Sequence, residues 1–174
     1  MAKQHWLLKC EPSAYSIEAL EKDGATGWEG VRNFQARNFM RSMKKGDGVV
    51  FYASNADPSG ATGIARVERE AYPDPYQFRK GHKYHDPESN PADPKWSSVE
   101  IAFVERFPRT IPLAELRETP GLENMEILRK GSRLSVTPLT KEEFEIVKKI
   151  GTRRKERQEE RQKERQKAEG RRQK

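Results

Sequence analysis

The stretch Gly27-Trp28-Glu29-Gly30-Val31-Arg32-Asn33-Phe34-Gln35-Ala36-Arg37-Asn38 sets a large aromatic between two glycines and follows it with Arg-Asn. Asn33 is suited to cap a helix whose apolar positions Ala36, Phe39, Met40 and Met43 recur at i, i+3, i+4 and i+7. A stacking surface, hydrogen-bond forks and free helix-start amides thus fall within one short segment, a combination suited to holding a nucleobase. The same residues admit a purely structural reading, in which Trp28 belongs to the core and Asn33 only caps.

Upstream, His5-Trp6-Leu7-Leu8-Lys9-Cys10 is a short apolar run closed by Glu11-Pro12, which predicts a buried first strand. Ser16 can cap a brief turn over Ile17–Glu21, with Gly24 after it. Downstream, Gly46-Asp47-Gly48 turns into a strand over Val49–Ala53, and a loop over Ser54–Thr62 leads to a second over Gly63–Tyr72. Pro73–Trp96 has almost no periodicity and predicts a long ordered loop or lid. Val99, Ile101, Phe103 and Phe107 alternate as in a half-buried strand, expected to stop at Pro108. Pro112 opens a short helix over Leu113–Arg117, and Gly131–Thr137 is extended before Pro138. Thr140 and Glu143 form a capping box; Phe144, Val147 and Ile150 give the next helix its inner face, and Gly151 is placed to end it. Short strands with short helices between them predict an α+β domain, a curled sheet or open β-barrel with short flanking helices.

Charge divides the 174 residues at the same point. Residues 152–174 hold eleven Lys/Arg against five Asp/Glu, +6 of the formal +7, so residues 1–151 are nearly neutral. The expected organisation is a domain over 1–151 and a basic low-complexity tail over 152–174, helical or disordered, with no apolar face to pack. Arg37 and Arg133 in the domain and Arg153, Arg154 and Lys155 in the tail are candidates for contacting a nucleic-acid backbone. The single cysteine, Cys10, cannot form an intramolecular disulfide, and no run approaches the roughly 20 apolar residues of a membrane span. These features point to a reducing interior, cytoplasmic or, in a eukaryote, nuclear; a monomer is expected, away from membranes.

His82-x-x-His85 has a metal-like spacing, but with three histidines and one cysteine the ligand set is incomplete, and surface histidines are expected instead. No cofactor is called for: glycine-rich phosphate loops of the P-loop or dinucleotide type are absent from the sequence. Cys10 lies in an apolar strand pattern where a thiol is ordinarily inert packing.

The run Trp28–Asn38 closely resembles the signature of the EVE domain family. Trp6-Leu7-Leu8-Lys9-Cys10-Glu11-Pro12, Gly46-Asp47 through Tyr52-Ala53-Ser54-Asn55, Ala71-Tyr72-Pro73-Asp74-Pro75 and Gly131-Ser132-Arg133-Leu134-Ser135-Val136 resemble further family segments in family order, with Cys10 where serine is usual and Ala53 where histidine is usual. The resemblance implies a PUA-like open β-barrel related to the YTH readers of methylated adenine, and a flipped modified base, in DNA or RNA, as ligand. It also implies the site: Trp28 as a cage wall, Lys9, Cys10 and Glu11 at the rim or floor, and Val31, Arg32, Asn33, Ser54 and Asn55 along the lining. The function expected is that of a non-catalytic reader. Its rivals are an enzyme acting on a modified nucleoside, which needs a titratable group such as Glu11 or Glu29 in a dry site, and an RNA-associated scaffold, which needs a basic face.

A chain ending at Gly151 is expected to keep any preference for modified over unmodified oligonucleotides, bind both more weakly at low salt, and show a shallower fall of log affinity with log salt. Equal salt slopes for the two lengths, read by fluorescence anisotropy, would reduce the tail to a solubilising extension or a protein-docking helix.

Overall fold

Strand alternation sends successive side chains of β1 (His5–Cys10) to opposite faces: Trp6 and Leu8 enter one apolar cluster and Leu7 the other. The third strand repeats the division, with Val49 and Phe51 on the first side and Val50 and Tyr52 on the second. A sheet apolar on both faces must be covered on both, and the remaining elements do so. The computed structural model of the chain describes residues 3–172, with the side chains of residues 154–156 and 158 outside the described set. After β1 come α1 (Ile17–Asp23), β2 (Ala25–Trp28), α2 (Phe34–Ser42), β3 (Gly48–Ala53), β4 (Gly60–Pro73), β5 (Ser97–Pro112), α3 (Leu113–Glu118), β6 (Val136–Leu139) and α4 (Lys141–Arg172). The first cluster takes Ile17 and Leu20 from α1 and Ala36 and Met40 from α2; the second takes Leu116 from α3 and Phe144 and Val147 from α4.

The sheet order is β2-β5-β4-β3-β1-β6, antiparallel except for β1 beside β3. The α+β class therefore holds, but the sheet is open. Its edges β2 and β6 do not pair among the described residues, so the expected barrel is not closed. Asp47 secures the parallel pair: its buried carboxylate accepts from Trp6 Nε1 at 3.0 Å and from the backbone amides of Gln4 and Lys44. A buried carboxylate is tolerable only with such donors, which accounts for Asp47 in the Gly-Asp turn.

Several sequence expectations fail at their boundaries for identifiable reasons. β5 runs on through Pro108 because the register with β4 shifts between Ala61 and Gly63, and the irregularity accommodates a residue with no N–H. Pro138 lies within β6, where an edge strand tolerates it. Gly27-Trp28, read as a glycine-flanked aromatic, is the end of edge strand β2, with Trp28 opposite Val99. Ser16, Asn33 and the Thr140/Glu143 box cap as expected.

Gly151 does not end its helix; α4 continues to Arg172, so the tail is helical. The glycine is there for closeness. A Cβ at 151 would sit 2.2 Å from a ring carbon of buried Phe107 on β5, and Thr152 next along donates to the Glu105 carboxylate. Gly151→Ala should therefore destabilise the domain by about 1–3 kcal/mol through overpacking, against the roughly 1 kcal/mol that alanine gains in a free helix. Urea unfolding measures the balance, and a more stable variant would show that α4 does not press on β5 there.

Candidate functional site

β4 and β5 form one long hairpin whose last paired residues, Pro73 and Ser97, lie beside the end of β2. The segment 74–96 leaves the hairpin there and forms a cover over the C-terminal ends of β1 and β2. Between cover and sheet is a cavity of about 310 Å³. Cys10 lines it from β1, Ala14 and Tyr15 from the turn after β1, and Thr26, Gly27, Trp28 and Glu29 from β2 and its exit. Tyr76, His82, Lys83 and Tyr84 line it from the cover.

The cover is held by buried polar groups as well as by the stack of Trp96 on Phe34. The fully buried Asp74 carboxylate accepts from Gly30 N at 2.8 Å, Arg32 Nη1 at 3.0 Å and Tyr76 N at 2.7 Å. Arg32 also donates through Nη2 to the carbonyl of Tyr84 at 2.6 Å, and its guanidinium lies over the rings of Tyr84 and Trp96. Gly30 has φ +78°, and a Cβ there would meet the Tyr84 ring at 2.4 Å, so glycine is needed for both conformation and contact. Buried Gln77 donates to the carbonyls of Asp74 and Trp96 and accepts from Ser89 Oγ and Trp96 N; Trp96 Nε1 donates to Asp86 at 2.7 Å.

The residues expected along the lining are distributed differently. Cys10 and Trp28 border the cavity. Trp28, expected either as a cage wall or as core, is only 7% exposed and meets Phe51 edge-on at 5.7 Å, so it is core and cavity wall at once. Arg32 does not line the cavity; it bolts the cover to the β2 exit. Val31 is buried in the first cluster and the Asn33 side chain caps α2 through Ala36 N. Glu11 is exposed and accepts from Asn55 Nδ2, with Asn55 at φ 47°, a left-handed conformation asparagine tolerates. Lys9 and Ser54 enter through backbone bonds, Lys9 N to Ser135 O and Ser54 N to Cys10 O, beside the cavity rather than in it. Of the backbone-contact candidates, Arg37 is engaged with Lys95 O, Asn38 and the Phe34 ring, Arg133 and Arg153 are exposed, and the Arg154 and Lys155 side chains lie outside the described residues.

Besides Ala14, Thr26 and Lys83, the aromatic lining residues Tyr15, Tyr76, His82 and Tyr84 escape the sequence reading. Their available signal was three tyrosines, Tyr72, Tyr76 and Tyr84, within or beside an aperiodic loop already read as a lid. His82 is half-buried rather than fully exposed: it stacks on Tyr76 at 4.2 Å between centroids, and its Nδ1 accepts from Tyr84 N. Among the described residues no group of His, Cys, Asp and Glu could hold a metal ion, and no helix is long and apolar enough to cross a membrane.

Burial, and next the charge of Asp74, raise the Glu29 carboxyl above its ordinary value; burial, then Glu29 itself, raises the Tyr72 phenol. Burial also raises the Cys10 thiol, away from the reactive thiolate. A wider groove of about 790 Å³ between β5, α1 and the outer part of α4 is lined by Glu18, Glu21, Glu105 and Glu159 against Arg106 and Arg109. That acidic excess disfavours phosphate, and the smaller aromatic cavity is the better candidate.

The EVE domain model matches residues 4–150. The chain belongs to the EVE domain family. Human thymocyte nuclear protein 1 is 44% identical over 162 residues, spanning 82% of this chain and 72% of that protein. The crystal structure of human THYN1 protein in complex with 5-methylcytosine containing DNA superposes with a TM-score of 0.78 at 42% identity, covering 86% of this chain and 98% of that one. The fold extends to the Mmi1 YTH domain, determined with RNA, at a TM-score of 0.53 and 9% identity, covering 90% of this chain and 82% of that one.

Asp74→Ala strands two backbone amides and Arg32. Because Arg32 is 23% exposed, the loss should fall near the low end for a broken buried pair, about 3 kcal/mol. Arg32→Lys should preserve the charge but lose the fork that reaches Tyr84, loosening the cover with a smaller loss of stability. Limited proteolysis and amide exchange across residues 79–95 read the cover directly, and unchanged protection in both variants would refute the bolt.

Proposed function

We propose that this chain is a non-catalytic nucleic-acid-binding module that takes one modified base out of the stack and holds it in the cavity beneath the 74–96 cover. The observation that carries this reading is the aromatic wall, in which Tyr15, Trp28, Tyr76, His82 and Tyr84 surround about 310 Å³, a volume in the range of small-ligand pockets. An extruded base needs π-faces on which to lie and a few polar groups to check its edge, and both are present. The human relative determined with 5-methylcytosine DNA supports a modified base as ligand and favours DNA.

The near-neutral domain fits a division of labour. Local geometry in residues 1–151 supplies selectivity, while the basic outer part of α4, with Arg153 at its start, supplies attraction for any phosphate backbone. Discrimination should be modest, since one methyl-sized group in a pocket is worth about 1–3 kcal/mol. Of the two acids that the enzyme reading needs, Glu29 lines the cavity, beside His82, Lys83 and the tyrosines. Glu11, the other candidate, is exposed and bonded to Asn55, and the Cys10 thiol is held protonated by burial. The cavity thus offers an acid without an activated nucleophile.

The Tyr76 ring, half-buried, can be removed with less damage to the core than Trp28, whose truncation should cost about 3–5 kcal/mol of stability. Tyr76→Ala should weaken binding of single-stranded oligonucleotides carrying one 5-methylcytosine by about 1–3 kcal/mol, the worth of one base–aromatic stack. A fluorescent base analogue beside the 5-methylcytosine should brighten on binding as stacking is lost. Full affinity in the variant with no fluorescence change would place nucleic acid elsewhere, and chemical conversion of the base in the recovered oligonucleotide would make the protein an enzyme.

A further inference from the structure

Glu29 follows directly on Trp28, and its carboxyl folds back over Gly27. A Cβ at Gly27 would lie 2.5 Å from Glu29 Oε1 and 2.9 Å from the Tyr72 hydroxyl, so the missing side chain is what leaves room for both groups. Glu29 lines the cavity, yet its carboxyl makes no hydrogen bond within the protein among the described residues. Its neighbour Asp74 is the opposite case, saturated by Gly30, Tyr76 and Arg32. A half-buried acid without a protein partner, set beside aromatic walls, has its hydrogen-bonding capacity reserved for whatever enters.

We propose that Glu29 reads the edge of the bound base as a neutral carboxylic acid, its O–H donating to a ring nitrogen and its other oxygen accepting from the adjacent exocyclic amine. That pattern selects bases with an amidine edge, N3 and N4 of cytosine or N1 and N6 of adenine. A methyl at C5 of cytosine leaves this edge untouched. Thymine and uracil can engage the acid only with its two oxygens exchanged, the O–H donating to O4 and the C=O accepting from N3–H, and guanine presents two donors better met by a carboxylate, so preference over them rests on which oxygen the protein sets against the ring nitrogen. The inference rests on the cavity being the base site.

The environment supports the neutral form. Burial and the Asp74 charge already raise the Glu29 carboxyl, and a base closing the cavity removes more water from it. Tyr72 on β4 lies close to the Glu29 carboxyl, and the titratable groups facing the cavity are Cys10 on β1, Tyr15 after it, and Tyr76, His82, Lys83 and Tyr84 on the cover. Binding therefore takes up protons, and affinity should rise as pH falls through the Glu29 range and decline above it.

The test uses the full chain with single-stranded DNA carrying one 5-methylcytosine, and the same strand with thymine or guanine there, between pH 5.5 and 8.5. The wild type should bind 5-methylcytosine more tightly as pH falls, without the same rise for guanine. In E29Q the amide supplies the same donor and acceptor at every pH, so binding is retained and the pH profile flattens; any slope left belongs to the other groups. E29A should lose roughly 10- to 100-fold for 5-methylcytosine, the size of one bidentate base contact, with thermal unfolding confirming the fold of each variant. The proposal is overturned if E29Q binds as weakly as E29A, which makes the carboxylate the reading form, or if both bind like wild type. Tyr76→Ala separates the two levels: loss there with no effect at Glu29 sinks only this inference, while no loss in either sinks the site itself.

Discussion

The buried carboxylate of Asp74 is the constraint on which the site depends. It sits where the long hairpin gives way to the cover, and it gathers the β2 exit through Gly30, the start of α2 through Arg32 and the cover through Tyr76. Without those three donors, a charge with no exposed surface would be untenable. Once they are in place, Tyr84 lies against Gly30 and the cavity has its outer wall. The cover is thus an ordered part of the domain although it contains little regular structure.

The same region carries a contrast between two acids that each follow the end of a strand, Asp74 after β4 and Glu29 after β2. Asp74 has both oxygens engaged and is structural, whereas Glu29, next to Gly30, has neither oxygen hydrogen-bonded among the described residues. Glycine governs both. Gly30 admits the Tyr84 ring, and Gly27 admits the Glu29 carboxyl and the Tyr72 hydroxyl. The two glycines around Trp28 matter less for flexibility than for the space they leave to groups arriving from elsewhere.

The chain belongs to the EVE domain family and shares its fold with a YTH domain. Among the described residues β2 is an edge of the open sheet, and the candidate cavity lies at that edge rather than inside a closed barrel. On the far side, α4 crosses β5 at Gly151 and carries the basic sequence outward as a continuation of the domain's last helix.

The sequence by itself determined what local rules govern. Ser16, Asn33 and Thr140 with Glu143 cap where their side chains reach the next turn's amides, and strand alternation in His5–Cys10 and Val49–Ala53 sorts side chains to two faces. Trp28 was legible as a wall, and it borders the candidate cavity; Pro73–Trp96 was legible as an ordered loop, and part of it covers that cavity. The structure alone decided which groups of the signature remain available. Arg32 and Asn33 were read as ligand contacts because their types suit that role, but Asp74, 42 residues from Arg32, claims the guanidinium, and the helix start claims the amide. Gly151 was read as a helix stop because a local rule assigns glycine that part, whereas Phe107 sets the requirement from 44 residues away. Tyr76, His82 and Tyr84 had no periodicity to reveal them. Partnerships this distant in sequence leave no local pattern, because they are set by which surfaces the sheet brings together.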